Sequence, residues 1–207
     1  MTKAETDHSK ITTSTSSILP ETVNDFFEVL SKRRSIRRYK SNDIPDSDLQ
    51  KILQAAQLAP STNNSQSWRF LVVKDPQTIA LLGQPQQQRF ITNAKAIIVV
   101  LGVKQSSCCP GNLARWHLQD PMIAADHLVL AATALGYGTC WIAAYESRSP
   151  DFIQQVKTKL EIPENADMVV FVALGVPDEN PSARPRKPLE EIAFDGKYGV
   201  PWKPHQT

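Results

Sequence analysis

Apolar residues recur at helical spacing in two segments near the start of the chain. The i, i+3, i+4, i+7 pattern occurs at Val23, Phe26, Phe27 and Leu30 and again at Leu49, Ile52, Leu53 and Ala56. Such spacing places the apolar side chains on one face of a helix. We therefore predict two helices that each bury one stripe, the second beginning near Asp46 and ending before Pro60.

Short continuous apolar runs are more typical of buried strands than of helices. Runs at 69–74, 96–103 and 168–175 predict three strands, and residues 138–145 predict a fourth strand or an extended segment. Periodic spacing returns at 151–160 and predicts an amphipathic helix. Helical segments interleaved with four strands indicate an α+β or α/β fold.

The segment from Asp120 to Gly136 has the clearest signals for its two ends. Asp120 is a good N-cap, Pro121 suits the first helical position, and Gly136 suits the position after the last turn. The residues between them are apolar on most faces. A helix of this kind is buried in a large core or in a subunit interface.

The chain divides into a tail and one domain. Residues 1–20 are polar and rich in Ser and Thr, so we expect a disordered N-terminal tail. Residues 21–207 suffice for one domain, and residues 104–118 have the composition of a loop that could act as a lid. Closely spaced prolines predict an extended C-terminal arm, and they are Pro177, Pro181, Pro185 and Pro188.

Charge and cysteine content narrow the partners and the compartment. A net charge of +2 does not favour nucleic acid or an anionic membrane, and no apolar run reaches the length of a membrane span. The cysteines, Cys108, Cys109 and Cys140, are too few and odd in number for a disulfide framework and fit a reducing cytoplasm. Adjacent Cys108 and Cys109 could be a metal or redox pair, but their spacing is poor for zinc, so we expect incidental thiols and no metal.

Two polar segments suggest a bound phosphorylated heterocycle. Four arginines, a serine and a tyrosine fall within 33–39, and guanidinium groups match phosphate oxygens well. The alternative is a solvated basic face. The second segment contains Asn64 and Gln66, whose amides can pair with a heterocycle edge or simply cap a turn. Glycine-rich nucleotide motifs are missing and histidine is sparse, so a cofactor could carry the chemistry.

Five short motifs occur in a characteristic order. They are Arg-Arg-Ser-x-Arg at 33–37, Ala-Pro-Ser-x-x-Asn-x-Gln-x-Trp at 59–68, Leu-Gly-Tyr-Gly-Thr-Cys-Trp-Ile at 135–142, Ala-Leu-Gly at 173–175 and Arg-Lys-Pro-Leu-Glu-Glu at 186–191. In this order the chain resembles the nitroreductase family of FMN-dependent oxidoreductases over residues 23–192. Three places depart from the family pattern: Ser67 stands where proline is usual, Ala143-Ala144 where a glycine is common, and the Cys108-Cys109 loop is atypical.

The resemblance implies an α+β, three-layer fold. Its central sheet is expected to be mixed, mostly antiparallel and flanked by helices, in an interlocked homodimer with FMN at the subunit interface. The implied reaction is ping-pong: NAD(P)H gives hydride to flavin N5, and a small-molecule acceptor such as a nitroaromatic or quinone then receives it. Two alternatives stay open, a specialised flavoenzyme (dehalogenating, flavin-fragmenting or azoline-oxidising) and a non-catalytic flavin-binding module for storage or regulation.

The resemblance also implies roles for individual residues. The phosphate would be held by Arg33, Arg34, Ser35 and Arg37, with further contacts from Arg184, Arg186 or Lys187 in the arm. The flavin ring or ribityl chain would contact Asn64, Ser65 and Gln66. Trp141 and Ile142 would pack on the ring, although Trp141 could equally be a core aromatic. The backbone N–H of Ala143 or Ala144 would point at flavin N5.

Overall fold

Four strands form one sheet at the centre of the protein. The computed structural model describes residues 25–84, 86–104, 115–144 and 149–204. The strands are β1 (Trp68–Val73), β2 (Ala96–Val103), β3 (Gly138–Ala143) and β4 (Ala166–Gly175). Their order is β1-β2-β4-β3, and each neighbouring pair is antiparallel. The central strands β2 and β4 are buried along almost their whole length, which explains why their sequences are continuously apolar.

Helices cover both faces of this sheet. They are α1 (Phe26–Lys32), α2 (Asp46–Gln57), α3 (Pro76–Leu82), α4 (Trp116–Ala134) and α5 (Pro150–Lys159). Buried side chains of α2 and α4 pack on one sheet face, and those of α3 and α5 pack on the other. The result is the expected α+β arrangement of three layers, and the predicted helices near 46–57 and 151–160 are confirmed.

The start of α4 differs from the prediction. The helix begins at Trp116, so Asp120 is not its N-cap and Pro121 lies inside it. A proline cannot donate the N–H that would normally bond to the carbonyl of His117. That carbonyl lies against Gly102 of β2, where a Cβ atom would come within 1.6 Å of the His117 oxygen. The missing hydrogen bond and the missing side chain therefore occur at the same point of contact.

The apolar stripe predicted for the first helix is exposed in one chain. Phe26, Phe27 and Leu30 are 60%, 77% and 44% exposed, and among the described residues of α1 only Val29 is buried. The periodicity correctly indicated a helix with an apolar face, but the residues that the structure describes leave most of that face uncovered.

Several sequence predictions fall outside the described residues or in the arm. The tail at 1–20, Val23, and the pair Cys108 and Cys109 are not described, nor is most of the loop at 104–118. The C-terminal arm is largely irregular, with a short 3-10 helix at Leu189–Glu191 and exposed apolar side chains. No helix in the described part of the chain is both long and apolar enough to cross a membrane.

Candidate functional site

The arginine-rich segment lies along the outer edge of β3. Ser35 forms a parallel bridge with Thr139, and the N–H of Ile36 donates to the Thr139 carbonyl at 2.8 Å. Gly138 permits this approach, since a Cβ atom there would lie 2.8 Å from the Ile36 side chain. The segment therefore extends the antiparallel sheet by one parallel contact and is fixed to the strand that carries Ala143.

The arginines of this segment do not all face the same way. Alternate residues of an extended chain share a side, which groups Arg33, Ser35 and Arg37. The charges of Arg37 and Arg33 both act on the buried thiol of Cys140. Arg34 instead turns back, and its Nη1 donates to the carbonyls of Ser31 at 2.6 Å and Arg33 at 2.8 Å. Nη1 of Arg34 is thus engaged by backbone carbonyls, while its buried Nε has no hydrogen-bond partner among the described residues, and a phosphate contact from Arg34 stays a prediction.

Glu179 holds the far end of the segment. Its carboxylate accepts hydrogen bonds from the backbone N–H groups of Arg37 and Arg38 and pairs with the Arg38 guanidinium at 3.5 Å. The N–H of Asp178 also donates to the Arg38 carbonyl at 2.9 Å. Arg38 therefore pairs with an acid, whereas among the described residues the side chains of Arg33 and Arg37 have no ion-pair partner, and the Arg37 guanidinium lies 5.7 Å from the centre of the Phe90 ring.

Two neutral groups, Cys140 and Tyr39, lie near these arginines in addition to the Glu179 carboxylate. Burial raises the pKa of the Cys140 thiol, although Arg37 and Arg33 partly oppose that shift. Burial likewise raises the pKa of Tyr39, with smaller contributions from Cys140 and Glu179, and the Tyr39 hydroxyl donates to the Ile36 carbonyl. Both groups stay protonated at neutral pH, so neither supplies a negative charge that would compete with a bound anion.

The amide-rich turn before β1 has an unusual backbone. Asn63, Asn64 and Gln66 have φ angles of 50°, 52° and 46°. Left-handed conformations of residues other than glycine cost about 1 kcal/mol or more each and cluster at functional sites. All three side chains are exposed. The turn thus presents amide groups outward in a conformation that its surroundings must stabilise.

Asp120 is a site residue that the sequence reasoning missed. It is 3% exposed and accepts hydrogen bonds from the N–H and hydroxyl of Thr62 and from the hydroxyl of Ser65. The turn and the aspartate are more than fifty residues apart, so no local pattern connects them. The available signal was an aspartate in an otherwise apolar helix, but its assignment as the N-cap already accounted for it.

Strand β3 separates the residues that were expected to contact a flavin ring. The N–H of Ala144 donates to the Val169 carbonyl at 3.1 Å, and Ala144 is fully buried. The Ala144 amide thus bonds to β4, whereas alternation directs the Ala143 amide away from β4. Trp141 is 50% exposed, so it is not a core aromatic, and Ile142 is buried in the core on the opposite face. The packing of Ile142 on the ring stays a prediction, and in this structure its side chain faces the core.

The two polar segments belong to opposite edges of the sheet. The turn that contains Asn64 precedes β1, whereas the arginine segment lies beyond β3. Strands β1 and β3 are three spacings apart, which is about 14 Å. Arg184, Arg186 and Lys187 are exposed on the arm, which leaves the body of the protein just after Glu179. The described residues contain no cluster of metal-ligating side chains.

Known proteins resemble this chain in sequence and in fold. The nitroreductase family model matches residues 30–96 and 79–176. An Archaeoglobus fulgidus protein named "Putative NADH dehydrogenase/NAD(P)H nitroreductase" is 34% identical over 158 residues, 76% of this chain and 88% of that protein. The NADPH-flavin oxidoreductase of Vibrio harveyi is 26% identical over 185 residues, 85% of this chain and 75% of that protein.

A solved structure shows the same fold. The FMN-dependent nitroreductase of Clostridium difficile superposes with a TM-score of 0.73 at 28% identity, covering 83% of this chain and 99% of that one.

Proposed function

Because the chain belongs to the nitroreductase family, we propose that it is an FMN-dependent oxidoreductase that uses NAD(P)H. The observation that carries this proposal is the docking of the arginine segment on β3. That contact places two side chains suited to a phosphate, Arg33 and Arg37, on the same strand edge as the outward-directed amide of Ala143. A phosphate group and a redox-active ring are the two ends of FMN.

The residues of the site fit the two ends of this cofactor. Arg33, Arg37 and the Ser35 hydroxyl would hold the phosphate, and Asn64 and Gln66 would hydrogen-bond to the ring or ribityl chain. The amide of Ala143 would stabilise negative charge on the ring, as backbone amides do in an oxyanion hole. FMN, when bound, would supply hydride transfer between NAD(P)H and a nitroaromatic, quinone or similar acceptor.

We further propose that the active form is a homodimer. The exposed face of α1 and the exposed apolar residues of the arm are surfaces that a second copy would cover. A second copy could also bring the Asn64 turn of one chain to the arginine segment of the other, although the two lie at opposite sheet edges within a chain. The few cysteines support a reducing compartment, and we propose the cytoplasm.

The direct test is to purify the protein and identify its cofactor. We expect a yellow protein that releases FMN on denaturation and whose flavin absorbance is bleached anaerobically by NADH or NADPH. If neither NADH nor NADPH bleaches the flavin absorbance, a specialised flavoenzyme of the same family is favoured. Bleaching that no acceptor reverses would favour a storage module, and a colourless protein that rebinds no FMN would refute the proposal.

Replacing the Ala143 amide tests its role in turnover. Ala143→Pro removes the N–H at a position of the edge strand β3 that faces away from β4. We expect kcat to fall about 100-fold, the usual effect of losing one oxyanion-type donor, with FMN affinity changed only slightly. Ala143→Gly keeps the amide and is the matched control. Equal kcat values for the two variants would exclude this amide from catalysis.

A further inference from the structure

Asp120 lies on the second turn of α4 and is almost fully buried. A carboxylate in that position requires hydrogen-bond donors, and all of those observed come from the turn before β1. The N–H of Thr62 donates to Oδ2 at 3.0 Å and its hydroxyl donates to Oδ1 at 3.2 Å. The hydroxyl of Ser65 donates to Oδ2 at 3.3 Å.

These contacts sort the side chains of the turn into two groups. Thr62 and Ser65 face inward to Asp120, whereas Asn64 and Gln66 are exposed. Asn64 and Gln66 also have left-handed backbone conformations, which persist only where surrounding contacts hold them. The inward contacts therefore hold this conformation together with a bond inside the turn, in which the N–H of Gln66 donates to the Ser61 hydroxyl at 3.0 Å.

We infer that Asp120 is a positioning residue for the cofactor. It holds the turn through Thr62 and Ser65 so that Asn64 and Gln66 meet the flavin in one arrangement. Asp120 itself does not touch the cofactor. The inference rests on the proposed function, since it assumes that the turn binds FMN.

The packing of α4 does not depend on this carboxylate alone. Ala124, one turn further along the helix, packs against Ala59 and Trp68 on either side of the turn. His127 contacts the Ala55 carbonyl of α2 at 3.3 Å. These contacts remain when Asp120 is replaced, so a variant is expected to fold while its turn loses a fixed conformation.

The experiment compares Asp120→Ala and Asp120→Asn with Asp126→Ala, an exposed aspartate on the same helix. We expect Asp120→Ala to raise the FMN dissociation constant about 10- to 100-fold, because three donors lose their acceptor. Asp120→Asn retains one acceptor oxygen and should recover part of that loss, and Asp126→Ala should match the parent. The visible circular dichroism of bound FMN should change only in the Asp120 variants.

Apoprotein unfolding separates positioning from plain stability. A positioning role predicts that FMN affinity falls by a larger factor than the folding equilibrium of the apoprotein. If Asp120→Ala does not fold, Ser65→Ala can take its place, because it removes one contact to Asp120 from the side of the turn. Ser65→Ala should raise the FMN dissociation constant by a smaller factor than that expected for Asp120→Ala. In the double variant its effect should not add to that of Asp120→Asn.

The possible failures can be told apart. A parent that binds no FMN would overturn both the proposed function and this inference. A parent that binds FMN, with Asp120 variants of unchanged affinity and unchanged dichroism, would overturn the inference alone. Equal losses in apoprotein stability and FMN affinity would also overturn it, because Asp120 would then be a structural residue only.

Discussion

Replacing Arg33 and Arg37 together with alanine is expected to yield a protein that purifies nearly free of flavin. Each guanidinium would make charge-assisted hydrogen bonds to the FMN phosphate, worth about 1.5–3 kcal/mol apiece. Two such losses correspond to a rise of about 100- to 10,000-fold in the FMN dissociation constant. The backbone contacts of the segment with Thr139 and Glu179 do not involve these side chains and should persist.

Arg34→Ala is the matched control for this double variant. Arg34 is the sequence neighbour of Arg33, but its guanidinium donates to backbone carbonyls and does not share the side of Arg33 and Arg37. Its removal should leave the dissociation constant within about threefold of the parent. Titration of apoprotein with FMN, followed by flavin fluorescence, measures all three proteins. An Arg34→Ala variant that lost flavin as severely as the double variant would contradict the assigned orientation.

Of the two glycine substitutions considered for stability, Gly102→Ala is expected to cause the larger loss. The added Cβ atom would meet the carbonyl oxygen of His117 at 1.6 Å, so α4 would have to move away from β2. Overpacking of a well-filled core typically costs about 1–3 kcal/mol, and a clash with backbone belongs at or above the upper end. The free energy of unfolding, measured by urea titration at fixed protein concentration, should fall accordingly.

Gly83→Ala provides a graded comparison for this clash. A Cβ atom there would lie 2.8 Å from the Thr92 methyl group, which is the end of a side chain and not backbone. Gly83 has a φ of −89°, which alanine adopts readily. Its substitution should change stability by less than about 1 kcal/mol. A loss of unfolding free energy at Gly102 as small as that at Gly83 would show that α4 moves easily at its contact with β2.

The elements that the sequence predicts well are those whose packing partners belong to the same chain. Val99, Val100 and Phe171 belong to strands buried on two faces, so a continuous apolar run was a sufficient signal. Helix α2 was equally clear because Leu49 and Ile52 form a stripe that packs on the same chain. In these places local pattern and tertiary environment agree.

The predictions from sequence fail where the contacts of a residue are with a partner distant in the sequence. Asp120 and Pro121 have the composition of a helix start, yet Asp120 bonds to Thr62 and Pro121 packs near Gly102. Phe27 belongs to an apolar stripe with helical spacing. Such a stripe indicates a face that must be covered, but it does not indicate which chain covers it. The opposite orientations of Arg33 and Arg34 depend on the docking of the segment on β3, which a list of motif residues does not contain.

The docking of the arginine segment also fixes the distance along β3 between the two ends of the proposed cofactor site. Thr139, which accepts the hydrogen bond from Ile36, and Ala143 lie on the same side of the strand, four residues or about 13 Å apart. A slip of one residue would shift the arginines by about 3.3 Å and break the bridge at Ser35. In the proposed complex, the choice of the monophosphate over riboflavin or a longer flavin nucleotide therefore depends on molecular length as well as on charge.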